Sequence, residues 1–132
     1  RPIVTAFGIS QAAGGPGSPF VVACSFSGPV PAATRAVIVF SSPVSFEAGW
    51  PGSTSNAVIA ATGAAAFGLA KLSTGGVLAP AGTATVPAGG RIAAVSAPAV
   101  SFAAGDALVI TTPATADATL ADFGLVLVGT KD

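Results

Sequence analysis

Pro98-Ala-Val-Ser-Phe-Ala-Ala-Gly-Asp-Ala-Leu-Val-Ile-Thr-Thr-Pro113 reads as two β-strands joined by a tight corner. Val100 and Phe102 alternate onto one face before Gly105-Asp106 breaks the run. Beyond the break Leu108 and Ile110 alternate with Ala107 and Val109, so both faces of the second strand can be covered. Gly105 can take the positive φ such a corner needs, and Asp106 can hydrogen-bond the backbone beside it. The first half of the stretch occurs twice. Arg35-Ala-Val-Ile-Val-Phe-Ser-Ser-Pro-Val-Ser-Phe-Glu-Ala-Gly49 and Arg91-Ile-Ala-Ala-Val-Ser-Ala-Pro-Ala-Val-Ser-Phe-Ala-Ala-Gly105 align without gaps. They match at Arg35 and Arg91, at Val39 and Val95, at Val44-Ser45-Phe46 and Val100-Ser101-Phe102, and at Ala48-Gly49 and Ala104-Gly105. A composition rich in Ala, Val and Ser yields some echoes by chance. A true repeat predicts two equivalent strand-corner-strand units in one sandwich, framed by Phe46, Gly49, Phe102, Gly105 and Asp106, since two copies are too few for a solenoid.

The rest of the chain has the same texture. Gly and Pro, 17 and 11 of them in 132 residues, leave few windows long enough for a helix. Ala57 to Ala70 has the best helical composition, but Gly63 and Gly68 weaken it and strand is the better reading. The expected strands are Ile3–Ile9, Phe20–Ser27, Arg35–Ser41, Val44–Glu47, Ala57–Ala61 and Ala64–Leu72. Gly76–Ala79, Thr83–Val86, Arg91–Ser96, Val100–Phe102, Ala107–Thr112 and Thr119–Val128 follow. Short strands between Gly/Pro turns predict an all-β antiparallel sandwich of jelly-roll type, a single domain over residues 1–132. Thr119–Val128 ends apolar on both faces, which suits a central strand or a subunit contact.

Five basic residues balance five acidic ones, so nothing attracts nucleic acid or anionic lipid. Only 8% of residues are charged, against about 25% in an ordinary soluble domain. So few charges would solvate a free surface poorly, which favours a component of an assembly. The uncharged run Pro2 to Thr34 is interrupted by Pro and Gly and falls short of the roughly 20 apolar residues of a membrane helix. No basic-then-apolar leader is visible. Cys24 shares a strand face with Phe20, Val22 and Phe26 and reads as a small core residue.

With no His, no Tyr and a single Cys, a His-dependent triad, a His general base and the usual zinc sites are excluded. A carboxylate pair is conceivable, for instance Glu47 with Asp106, but no spacing places it across a sugar cleft. Asp106, Asp117 and Asp122 lack the alternating pattern of a Ca²⁺ loop and read as turn caps. Gly14-Gly15-Pro16-Gly17 lacks the Lys and following helix of a phosphate loop. No catalytic residue, metal ligand or cofactor site is expected. Trp50, in Gly49-Trp50-Pro51-Gly52-Ser53, can stack on a sugar with Ser55 and Asn56 as polar partners, or pack over the sandwich end beside Pro51. The area an aromatic buries favours packing.

The tail F-A-A-G-D-x-L-x-I-x-x-P-x-x-x-D-A-T-L-A-D-x-x-x-x-L-x-G-T, filled by Phe102 to Thr130, resembles the C-terminal β-domain of many tailed-phage and prophage virion proteins. Segments similar to Pro43-Val-Ser-Phe-Glu-Ala-Gly49 occur upstream in that family. The Pro/Gly-rich stretch from Ala12 to Pro19 and Trp50 are particular to this chain. The resemblance implies a non-enzymatic accessory of fibre, collar or decoration type on the virion surface. Its expected partners are other virion proteins and further copies of itself, a trimer foremost, with host attachment as a use. The alternative is an adhesion module that recognises cell-surface glycans.

Overall fold

The computed structural model describes residues 9–12 and 17–132. Its strands are β1 (Ile9–Ala12), β2 (Pro19–Pro29), β3 (Arg35–Val39), β4 (Val44–Phe46), β5 (Thr54–Ile59) and β6 (Ala65–Leu72). They continue with β7 (Leu78–Val86), β8 (Ala94–Ser96), β9 (Val100–Phe102), β10 (Ala107–Thr111) and β11 (Ala121–Lys131). Sheet A runs β1-β2-β11-β4-β9 with β5 also on β11, and sheet B runs β3-β10-β6-β7-β8. All pairings are antiparallel, so the chain is an all-β sandwich as its alternation predicts. No helix among the described residues is long and apolar enough to cross a membrane. Most of the expected Ile3–Ile9 strand and of the Gly14-Gly15-Pro16-Gly17 loop lies outside the described residues.

The core follows from period-two burial. Phe20, Val22, Cys24 and Phe26 of β2 share the inner face with Phe123, Leu125 and Leu127 of β11, opposite Ile38, Phe67, Leu69, Leu108 and Ile110 of sheet B. The rings form two groups. Phe67 stacks on Phe123 at 4.7 Å near Phe26, and Phe40 lies edge-on to Phe20 and to Phe102. Each such ring contributes roughly 1.5 to 3 kcal/mol by leaving water.

β11 is the central strand of sheet A. It pairs along its length with β2, and its other edge is shared by β5 and, at the end, β4. Between those two partners the Ser53 hydroxyl accepts the Val128 N–H at 2.9 Å and fills the break in the ladder. Gly129 lies where β4 crosses, and a Cβ there would meet the Ser45 carbonyl oxygen at 2.8 Å.

The repeat is built into the fold. β4 and β9, the two Val-Ser-Phe segments, pair with each other, Val44 opposite Phe102, Ser45 opposite Ser101 and Phe46 opposite Val100. The two Ser hydroxyls lie 3.2 Å apart, on a local two-fold relating the copies. The strands that precede them, β3 and β8, are the two ends of sheet B. Both Ala-Gly corners close alike: Trp50 N donates to Glu47 O at 2.8 Å, and Asp106 N to Ala103 O at 3.0 Å. Gly49 and Gly105 sit at φ 79° and 91°, the left-handed region in which glycine is at ease. Each corner then clamps the other copy's crossing, Gly49 N to Ala97 O and Gly105 N to Phe40 O, both at 2.7 Å.

The equivalence ends there. After its corner β9 leads into β10 of sheet B, whereas β4 leads into β5 of sheet A, which corrects the expectation of two complete strand-corner-strand units. Boundaries also differ, most of them by a residue or two at strand ends, and β11 runs on from the expected Val128 to Lys131. β5 begins at Thr54, because Thr54 and Ser55 pair with Val126 and Leu125. β8 begins only at Ala94, and the segments expected as Gly76–Ala79 and Thr83–Val86 form one strand, β7. Its ladder to β6 shifts register at Leu69/Ala70, opposite Gly82 and Pro80, so the Pro/Gly signal marks a bulge and not a break.

Candidate functional site

Trp50 is not on the surface. Its ring is 1% exposed, stacks on Phe46 at 4.3 Å, and donates from Nε1 to the Pro98 carbonyl at 3.2 Å. A left-handed backbone, φ 48° at Trp50 after Gly49, turns the side chain under the sandwich end. The sugar-stacking role is therefore corrected, since neither ring face is open to a ligand. Ser55 is buried too: its hydroxyl accepts from Ala93 N at 2.6 Å and donates to Arg91 O at 3.2 Å, tying the segment before β8 to β5. Asn56 is exposed on the outer face of sheet A, with Oδ1 accepting the N–H of Ala57 at 2.8 Å.

Phe46 and Phe102 pack edge to face at 5.7 Å. The Asp106 carboxylate accepts Ala103 N at 2.9 Å and Thr74 N at 3.2 Å, with Lys71 Nζ at 3.7 Å. Lys71 itself donates to Ser101 O at 2.6 Å and lies over the Phe102 ring. Glu47 is on an exposed turn lining a small cleft with Pro19, Pro51 and Thr130. The chemistry of Asp106 is thus that of a buried cap holding its own corner to the segment from Lys71 to Thr74.

Asp117 is a second cap, nearer the surface. Its carboxylate accepts Thr62 N and Gly63 N at 2.8 Å and its own-turn Thr119 N and Leu120 N at 3.0 Å. The Gly63 and Thr62 bonds foremost, with that of Thr119, hold the carboxyl far below the usual carboxylate range. A carboxyl depressed in the fold contributes stability above its unfolded pKa of about 3.9, and that contribution fades as pH falls below it. Asp117→Asn is expected to melt earlier at pH 7, with the gap to the parent closing below about pH 4. Melting curves across pH check this, and a gap that stays constant overturns it. Asp122, at φ 53°, caps Gly28 N at 2.7 Å. Among the described residues no group of three His, Cys, Asp or Glu is placed to hold a metal. Burial pushes the Cys24 thiol up to about 11, as befits a core residue.

Two outer surfaces remain. On sheet B, cross-strand neighbours form two rows, Val37–Val109–Ala70–Pro80 and Val39–Ala107–Leu72–Leu78. None is charged; Val37, Val39 and Leu78 are 49%, 57% and 43% exposed, whereas Ala107 and Val109 on the central strand are buried at 3%. The next row, Arg35–Thr111–Gly68–Thr83, turns polar. On sheet A the rows Ser25–Gly124–Asn56 and Ala23–Val126–Thr54 floor a groove of about 670 Å³ with Ile92 on its wall. Sequence reasoning singled out Asn56 here but missed Gly124, whose signal was a glycine inside the alternating run of β11.

No protein-family model matches the chain, and no curated protein matches it. Among solved structures it is similar to a glycoside hydrolase family 43 arabinoxylan arabinofuranohydrolase from Bacillus subtilis, determined in complex with cellotetraose. The likeness has 20% identity and a TM-score of 0.44, and it covers 97% of this chain but 24% of that one. So slight a likeness bears on neither mechanism nor ligand.

Proposed function

We propose that this chain is a non-enzymatic structural protein that works inside an oligomeric assembly, in the manner of the fibre, collar or decoration domains of tailed-phage virions. The observation that carries this is the outer face of sheet B. The water-facing side of an antiparallel sheet ordinarily alternates to polar residues, yet here both rows are apolar and uncharged, with Val37, Val39, Leu78 and Pro80 exposed towards the sheet edges and Ala107 and Val109 buried between them. Contiguous patches of that kind mark contacts between proteins, and closed homo-oligomers are the usual way to cover them. The chain's low charge supports the same reading, as does the resemblance of its last third to virion β-domains. A trimer is the assembly proposed, with host attachment its use on the particle surface.

Size-exclusion chromatography with light scattering tests this. The parent is expected to elute at trimer mass. Val39→Glu, which places a charge on a half-exposed side chain of that face, is expected to elute as a folded monomer with unchanged circular dichroism. A parent that stays monomeric at every concentration, or a Val39→Glu protein that keeps the trimer mass, overturns the reading.

A further inference from the structure

The groove on sheet A stands apart from that reading, on the opposite side of the sandwich. We propose that it is a binding site for a short, uncharged saccharide, laid over Gly124 between Ser25, Thr54 and Asn56.

The first support is Gly124 itself. It occupies the middle of the central strand, where glycine weakens a sheet and often marks the close approach of a ligand. Nothing among the described residues requires it: its φ is not in the left-handed region, and a Cβ there would meet none of their atoms within 4 Å. Gly129, by contrast, is needed for the β4 crossing. The space that the absent side chain leaves opens outward, into the groove.

The second support is the lining. None of the ten residues around the groove is charged, which disfavours phosphate, carboxylate or an acidic peptide as occupant. Thr54 offers a hydroxyl. Asn56 has one amide oxygen engaged by Ala57, which leaves its amino donors for a ligand. Ala23, Val126 and the 58% exposed Ile92 supply aliphatic surface beside these polar groups. A pyranose has the matching character, a rim of hydroxyls around apolar C–H faces. No aromatic ring lines the groove, so the expected affinity is weak, in the millimolar range.

The third support is shape. The volume falls within the ~300 to 1,000 Å³ typical of small-ligand sites. Through Asn56 and Ile92 the groove continues into a second hollow of about 660 Å³ lined by Val58, Pro87, Gly89 and Gly90, with Arg91 the one charged residue, at that far end. That length suits a few linked sugars better than one.

The test is an amide-shift titration of the full chain with neutral malto-, cello-, xylo- and chito-oligosaccharides to roughly 10 mM, above the expected dissociation constant. At least one series is expected to move the amides of Ser25, Asn56, Gly124 and Val126. Gly124→Val puts a side chain on the floor where an added Cβ meets none of the described atoms within 4 Å, so it is expected to keep the fold and bind about tenfold or more weakly. Thr54→Val, which removes one hydroxyl from the wall, is expected to weaken binding severalfold and guards against a folding artefact in the first variant. The proposal is overturned if no series moves those amides, or if Gly124→Val binds as the parent does. It is equally overturned if only oligogalacturonate binds, or only an unstructured peptide. Oligomer mass does not enter the readout, so failure here and failure of the assembly reading are distinguishable.

Discussion

Trp50→Ala is expected to cost about 3 to 5 kcal/mol of unfolding free energy, the range for emptying a large aromatic from a packed core. The ring is stacked at 26° on Phe46, so its removal leaves a void beside Phe46, which in turn packs against Phe102 and Phe40. Its Nε1 also holds the Pro98 carbonyl, where the chain crosses from β8 to β9. The hydrogen bond joins one copy of the repeat to the other, so part of the loss falls between the two copies. A non-glycine residue at φ 48° is itself strained by roughly 1 to 3 kcal/mol, and the packed ring is what offsets this. Trp50→Phe keeps most of the stacking and loses the hydrogen bond, for about 1 kcal/mol from that bond. Denaturant unfolding followed by far-ultraviolet circular dichroism measures both, with unchanged m values expected. An Ala variant that loses less than about 1 kcal/mol sinks the core assignment, because only an exposed Trp is so cheaply removed. Tryptophan emission gives an independent check, since the parent has one Trp and its native spectrum is expected blue-shifted.

Trp50 also shows where sequence reading reached its limit. The motif Gly49-Trp50-Pro51-Gly52 correctly signals a turn, but turn residues do not reveal which way a side chain is aimed. Here the left-handed backbone at Gly49 and Trp50 decides it. What was legible rested on period two: Phe20 to Phe26, Leu108 with Ile110, and Phe123 to Leu127 are buried as their alternation predicts. The internal echo was legible because it was literal, Val-Ser-Phe twice followed by Ala-Gly. That these two segments would pair with each other was not, because pairing partners are set by the whole topology and not by either strand. Pro80 misled for a local reason. It lies in β7 beyond the residues that β8 covers, at an edge where no ladder N–H is required, so strand continues through it. The groove was hidden for a third reason: Ser25, Asn56 and Gly124 are far apart in sequence and become neighbours only through the β2-β11-β5 register.

Asp106 stands where Trp50 stands in the other copy, directly after the Ala-Gly corner, and there the two copies have diverged from ring packing to hydrogen bonding. Asp106→Ala is expected to cost about 2 to 4 kcal/mol, because the N–H groups of Ala103 and Thr74 lose a charged acceptor in a site only 5% exposed. The ion pair with Lys71 is the smaller part. At 3.7 Å it is long, and the Lys71 side chain is 34% exposed, so solvent screens the attraction to under about 1 kcal/mol. The comparison that bears on these causes is Lys71→Met, which removes the cation together with its bond to the Ser101 carbonyl, spares both backbone bonds to Asp106 and keeps apolar cover over Phe102. It is expected to cost under about 1 kcal/mol, well short of Asp106→Ala. Asp106→Asn, which retains one acceptor oxygen, is expected to fall between them. Amide exchange locates the loss: faster exchange is expected at Thr74 and at the corner from Ala103 to Asp106. If Lys71→Met is instead as damaging as Asp106→Ala, the ion pair and not the backbone cap holds this corner. Equal exchange rates at Thr74 in the parent and in Asp106→Ala would likewise remove the cap from the account of how sheet B is closed against the β9 turn.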